Sequence, residues 1–151
     1  MAEVFKEVPL IDRDGRHVKA DVVLKDTVIG VYFSAGWCPP CRDFTPLLTE
    51  VYDELKSRAA PFEVVFISCD KSEGAMQQYM KDIHGDWYAL PFGDAHIGEL
   101  KESYNIVAIP KLIILSPSGE TLSTSGRKEV QTRGVACFNS WVRGTELADK
   151  L

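Results

Sequence analysis

The chain has no apolar run near the ~20 residues a helix needs to cross a bilayer, so no membrane-spanning role is expected. Its first residues, Met1 to Lys6, mix acid and base and lack the basic start and apolar core of a signal peptide. The expected compartment is therefore cytoplasmic, where thiols stay mostly reduced, with unconventional export left open. There is no excess of positive charge: 17 lysines and arginines face 22 aspartates and glutamates, a net charge of −5. That gives neither nucleic acid nor an anionic membrane a reason to bind. The small basic cluster of Arg127, Lys128 and Arg133 reads as a solvated face. Cysteine is sparse, four in 151 residues, which excludes a disulfide-stapled scaffold. No repeat and no low-complexity linker divides the chain. Its length suits one domain over residues 1–151 with a full core, acting as a monomer.

What the chain does have is a paired cysteine in a telling place. Trp37-Cys38-Pro39-Pro40-Cys41 follows an apolar stretch, Val28 to Ala35, and precedes a helical pattern, Asp43 to Leu55. A strand that runs into Cys-x-x-Cys at the start of a helix is the setting of a thiol–disulfide redox centre. With Cys38 as N-cap, Pro39 and Pro40 occupy the first two helical positions, where a missing N–H costs nothing. Cys41 then supplies the first backbone N–H that can reach the Cys38 sulfur. That bond and the positive end of the helix dipole favour the Cys38 thiolate. Cys38 is thus the expected nucleophile and Cys41, one turn on, the sheltered resolving thiol. The spacing leaves the direction of electron flow open.

Other uses of the pair are weaker. Zinc needs four ligands, and Cys69, Cys137, His17, His84 and His96 show no second paired spacing. No metal and no cofactor is expected. A disulfide across so short a loop would restrain little of the unfolded chain. Cys69 and Cys137 read as packing thiols, with a regulatory disulfide at Cys69 as the alternative.

The remaining pattern alternates strands and helices. Val8–Ile11 and His17–Val18 flank Asp14-Gly15, a hairpin signal. Val28–Ser34, Phe62–Cys69 and Lys111–Ser116 are apolar runs suited to buried strands. Phe44, Leu47, Leu48, Val51, Tyr52 and Leu55 make one helical face, with Pro46 expected to kink it. Helices are also expected over Ser72–His84, capped by Ser72, over His96–Asn105, and from Val130 to Val142, with Gly134 as a weak point. Trp87–Phe92 reads as extended, either an apolar rim for a partner or cover for the sheet. Thr121–Ser123 pairs back as a hairpin edge, and Thr145–Leu151 reads as a fraying helix end. The expected fold class is α/β: a central mixed sheet with helices on both faces and an N-terminal β-hairpin.

The stretch Tyr32 to Pro46 (YFSAGWCPPCRDFTP) resembles the tryparedoxin and nucleoredoxin branch of the thioredoxin superfamily. So do Phe62–Ser68 (FEVVFIS), Trp87–Phe92 (WYALPF) and Ile109-Pro110, so that the likeness runs from about residue 28 to 142. Gly126-Arg127-Lys128 through Gly134–Phe138 (GVACF) resembles the nucleoredoxin-like protein 2 family, which is associated with maintenance of sensory cells. The resemblance implies a thioredoxin fold and assigns roles. Trp37 would shield the pair and offer an apolar docking face. Pro110 would be a cis-proline facing the cysteines, and the Ile109 backbone would pair with an extended substrate segment. Substrates would be protein disulfides, and an unidentified dithiol would be the electron donor. One departure matters: thioredoxin carries a buried acid six residues before its first cysteine, where this chain has Tyr32. Tyr32 is expected to pack in the core beside the active site, which leaves the proton acceptor for Cys41 open.

Three functions compete. The first is a protein-disulfide reductase using Cys38 and Cys41. The second is a redox-regulated signalling or survival factor that acts mainly by binding. The third, a glutathione-linked glutaredoxin or iron–sulfur carrier, fits Trp37 and the Pro39-Pro40 dipeptide less well.

Overall fold

The computed structural model describes residues 3–143 and 145. Three strands form the centre of the sheet: β3 (Val28–Ser34), β4 (Phe62–Ser68) and β6 (Lys111–Leu115). β3 runs parallel to β4, with Val28 opposite Phe62 and Ser34 opposite Ser68, and antiparallel to β6. The hairpin of β1 (Leu10–Ile11) and β2 (His17–Val18) joins one edge through β5 (Tyr88–Ala89). β7 (Thr121–Ser123) pairs with β6 at the other. The order is β2-β1-β5-β4-β3-β6-β7, a mixed seven-stranded sheet.

Every residue of β3 and β4 is buried, because helices cover both faces. The two-residue side-chain period then sorts them. Val28, Tyr32, Phe62, Val64 and Phe66 pack with Phe44, Leu48, Val51 and Leu55 of α2 (Pro39–Ser57). The same layer holds Met76, Tyr79 and Met80 of α3 (Glu73–Ile83), with Phe138 and Trp141 near the chain end. Ile29, Val31, Phe33, Val65 and Ile67 face the opposite layer, with Ala20 of α1 (Ala20–Val23) and Leu100 of α4 (Ala95–Ser103).

Several sequence-based boundaries shift. The expected C-terminal helix is three pieces: α5 (Gly126–Arg133), a 3-10 turn over Gly134–Ala136, and α6 (Cys137–Val142). Gly134, at φ +56°, breaks the helical run by adopting a left-handed backbone. Trp87–Phe92 is a strand only at Tyr88–Ala89, and Trp87 is fully buried, so it covers the sheet rather than forming a rim. Pro91 has no N–H for a ladder, and the chain turns at Gly93, φ +75°. Pro46 sits within a helix assigned without interruption from Pro39 to Ser57. Apart from Thr145, the expected helix end at Thr145–Leu151 lies outside the described residues. Among the described residues no helix is long and apolar enough to cross a membrane.

His84 is packed into this core rather than exposed. Its ring lies 4.4 Å from those of Phe66 and Tyr79, edge-on to both. Nδ1 accepts the Trp87 Nε1–H at 3.0 Å, so the ring proton sits on Nε2. Burial pushes its pKa down from 6.5 to about 3. A histidine that folds neutral supports the native state fully above its ordinary value and penalises it as pH falls toward the folded one. Unfolding free energy is therefore expected to drop between pH 6.5 and about 3. In urea titrations over that range, His84→Gln should flatten the slope; an unchanged slope would show that His84 does not titrate on unfolding.

Candidate active site

The site lies where β3 ends and α2 begins. Cys38 caps α2 with extended backbone angles, and Pro39 and Pro40 form the first helical positions. The Cys41 N–H donates to the Cys38 Sγ at 3.4 Å, where a capping oxygen would accept in an ordinary helix. Cys38 is 5% exposed and Cys41 is wholly buried, so only Cys38 opens to the surface. All four cysteines are free thiols, which makes this the reduced form. Burial, with the neighbouring Cys38 adding to it, pushes the Cys41 thiol up to about 11. It is therefore held as a thiol at neutral pH.

A second segment closes over the pair. The Ile109–Pro110 bond is cis, and the Ile109 carbonyl lies 4.0 Å from Cys38 Sγ. Ile109 packs against the cluster of Ala35, Cys38 and Cys41, and so does Cys69. Trp37 projects beside them, 55% exposed, with its Nε1–H donated to the Cys69 carbonyl at 3.0 Å. The Lys71 ammonium sits 5.4 Å over its ring. Val107, two residues before Ile109, is 89% exposed, an apolar surface residue that the sequence did not single out. Cys69 is half-buried at the end of β4, and burial raises its pKa while Lys101 opposes the rise. Cys137 is far from this cluster, inside the α2 layer, where burial pushes it to about 12.

Tyr32 packs in the core and is not charged, since burial raises its pKa well beyond the ordinary phenol range. Its hydroxyl meets Thr45 Oγ1 at 2.6 Å. Sequence reasoning missed the groups around it. Ser34 shares the Tyr32 face of β3 by the two-residue period, Thr45 lies one turn beyond Cys41, and Tyr79 comes from α3. Asp70 was missed as well. One carboxylate oxygen accepts the Gly36 N–H at 2.7 Å and the other the Ser68 hydroxyl at 2.7 Å. It ties the loop that presents Trp37 and Cys38 to the end of β4. Among the described residues, no group of three or more His, Cys, Asp or Glu side chains is placed to hold a metal.

Asp70→Ala should cost roughly 1.5–3 kcal/mol, the range for hydrogen bonds to a charged group. Urea unfolding reads the cost, and faster amide hydrogen exchange at Gly36 localises it. Unchanged exchange at Gly36 would mean that Asp70 does not hold the loop.

Residues 26–121 match a family model described as thioredoxin-like. Nucleoredoxin from Bos taurus is 41% identical over 130 residues, which is 83% of this chain and 29% of that protein. The chain thus spans less than a third of the length of the nucleoredoxins it matches first. Among solved structures, thioredoxin related protein 16 of Carcinoscorpius rotundicauda is 43% identical with a TM-score of 0.79, covering 93% of this chain and 99% of that one. Tryparedoxin from Trypanosoma brucei is 34% identical with a TM-score of 0.78, over 89% of this chain and 91% of that one. With the mixed sheet, the capping cysteine and the cis-proline loop in place, these similarities show that the chain belongs to the thioredoxin-like family, in its nucleoredoxin and tryparedoxin branch.

Proposed function

We propose that the protein is a thiol–disulfide oxidoreductase that reduces protein disulfides, with Cys38 as nucleophile and Cys41 as resolving thiol. The observation that carries this is the Cys41 N–H on the Cys38 sulfur at the opening of α2, with Cys41 itself buried. The amide and the helix dipole stabilise negative charge on the outer sulfur, while burial keeps the inner one protonated. The two thiols therefore have different work.

Cys38 Sγ attacks one sulfur of a target disulfide, and the electron pair leaves on the other target sulfur. Cys41 Sγ then attacks Cys38 Sγ in the mixed disulfide. The Cys38–Cys41 bond forms, the bond to the target breaks, and the target leaves as a dithiol two electrons richer. An unidentified dithiol donor returns the pair to the reduced form. Trp37 and Val107 give the apolar face on which a target segment rests, and the Ile109 backbone aligns it beside Cys38. Pro39 and Pro40 keep the first helical turn free of competing N–H donors, and Tyr32 supports the site from the core. The single domain works as a monomer, without cofactor or metal, in a reducing cytoplasm.

Cys38→Ser should bring insulin reduction down to the uncatalysed rate. Cys41→Ser should accumulate a one-to-one covalent adduct with the target that dithiothreitol releases, seen by mass spectrometry of the intact protein. Full turnover by Cys38→Ser would refute the proposal.

A second reading is a redox-regulated signalling or survival factor, in keeping with the sensory-cell role associated with the nucleoredoxin-like resemblance. Its support is the structural neighbour from Carcinoscorpius rotundicauda, described as having a role in regulating NF-κB activity, together with the exposed Trp37 and Val107. A Cys38→Ser, Cys41→Ser double variant separates the readings in a sensory-cell survival assay. Rescue equal to wild type would favour binding, and loss of rescue favours catalysis.

A further inference from the structure

The loop that presents Trp37 and Cys38 carries cations whose charge no carboxylate answers. The Lys71 ammonium sits 5.4 Å over the Trp37 ring. That ring is 55% exposed and is held by its Nε1–H on the Cys69 carbonyl at 3.0 Å. Arg42 Nη1 donates to the Gly36 carbonyl at 3.0 Å, a neutral partner in the same loop. Neither cation forms an ion pair among the described residues, where the ion pairs join Lys56 to Glu63, Arg58 to Glu54 and His96 to Asp94. The carboxylate next to Lys71 in the chain, Asp70, is buried, and its two oxygens take the Gly36 N–H and the Ser68 hydroxyl.

A second group of cations follows the cis bond. Ile109 packs against the cysteine cluster, and its neighbour Pro110 lines a cleft of about 370 Å³. Lys111, Arg127 and Lys128 line the same cleft with Thr124 and Ser125, and no aspartate or glutamate does. These three cations also form no ion pair among the described residues. Glu129, beside Lys128 in the chain, is engaged elsewhere: it accepts the Trp141 Nε1–H at 3.0 Å and the Ser123 hydroxyl. A chain of net charge −5 thus keeps unpaired positive charge in the two segments that meet at its nucleophile, around Trp37 and after Ile109.

We propose that Lys71, on the face of Trp37, selects target disulfides that lie in acidic protein segments, with Lys111 and Lys128 meeting a second carboxylate of the same segment. The inference rests on the role proposed above for Cys38. An indole alone accepts any apolar neighbour. An ammonium on that indole adds a charge that a glutamate or aspartate of the target satisfies and that a lysine of the target repels. The groups are exposed, so each contributes modestly, and salt screens them. The bonds made and broken are those of the reduction already given, and no further group enters the step.

The test uses the reduced full chain and three disulfide-looped peptides that differ only in whether glutamate, glutamine or lysine flanks the cysteines. Single-turnover oxidation of the protein, read by thiol alkylation and intact mass, gives a second-order rate constant for each peptide. At low ionic strength the glutamate peptide should react roughly fivefold faster than the lysine peptide, the factor that one exposed charge pair supplies. In about 1 M salt, where the screening length falls to about 3 Å, the ratio should approach one. Lys71→Glu should invert the ratio, and Lys128→Glu should reduce it. A general loss of docking on Trp37 would slow all three peptides by the same factor and leave the ratio alone. Equal rates for the glutamate and lysine peptides in the wild type, or a ratio that Lys71→Glu or Lys128→Glu leaves unchanged, would overturn the proposal and leave the roles of the cysteines standing. Oxidation of the wild type by none of the three peptides would overturn those roles and this proposal with them.

Discussion

The amide of Cys41 on the sulfur of Cys38 depends on where β3 ends. Ser34 is the last residue of that strand, Ala35 and Gly36 turn the chain, and Cys38 caps α2. The Cys69 N–H on the Ser34 carbonyl at 2.8 Å and the Asp70 carboxylate on the Gly36 N–H at 2.7 Å hold that turn to the neighbouring strand. There is little room for slack. A Cβ on Gly36 would sit 3.0 Å from Tyr79 Cβ and 3.4 Å from Asp70 Oδ1. A sulfur reaches the capping position only because a buried parallel strand delivers the backbone there, and two prolines leave the third helical N–H as the donor.

The asymmetry of the two thiols follows from the same placement. Helix geometry puts the third helical residue on the inner side, over the sheet, and the capping residue at the surface. Cys41 is thereby desolvated, packed with Ala35, Cys38, Cys69 and Ile109. Thioredoxin has a buried acid where this chain has Tyr32. Here Tyr32 instead joins a neutral group of hydroxyls with Thr45, Tyr79 and Ser34, drawn from β3, α2 and α3. Beside the outer sulfur stand the exposed Trp37 and Ile109, which packs against it.

Much of this was legible in the sequence. Val28–Ser34 reads as a central strand because all seven residues suit burial on both faces, and the strand has those bounds. Cys38 as cap, Pro39 at the first helical position and Ser72 as the cap of α3 follow from the missing N–H of proline and the acceptor on serine. The hydroxyl chain was not legible, since Ser34, Thr45 and Tyr79 meet only when three elements pack. The two-residue step from Tyr32 to Ser34 and the four-residue step from Cys41 to Thr45 were its only local traces. Trp87–Phe92 misled because an apolar run suits a buried loop as well as a strand. Gly134 was seen as a weak point, but only its positive φ shows that the helix stops there.

The most direct measurement is the reduction potential of the Cys38–Cys41 pair, taken by equilibrating the protein across a series of glutathione redox buffers and reading the fraction oxidised by thiol alkylation and mass. The account predicts a reversible two-electron couple confined to these two cysteines, with a potential between about −200 and −270 mV, in the range of reducing thiol–disulfide proteins. A pair that stays reduced across the whole series, or oxidation that runs instead through Cys69, would contradict it.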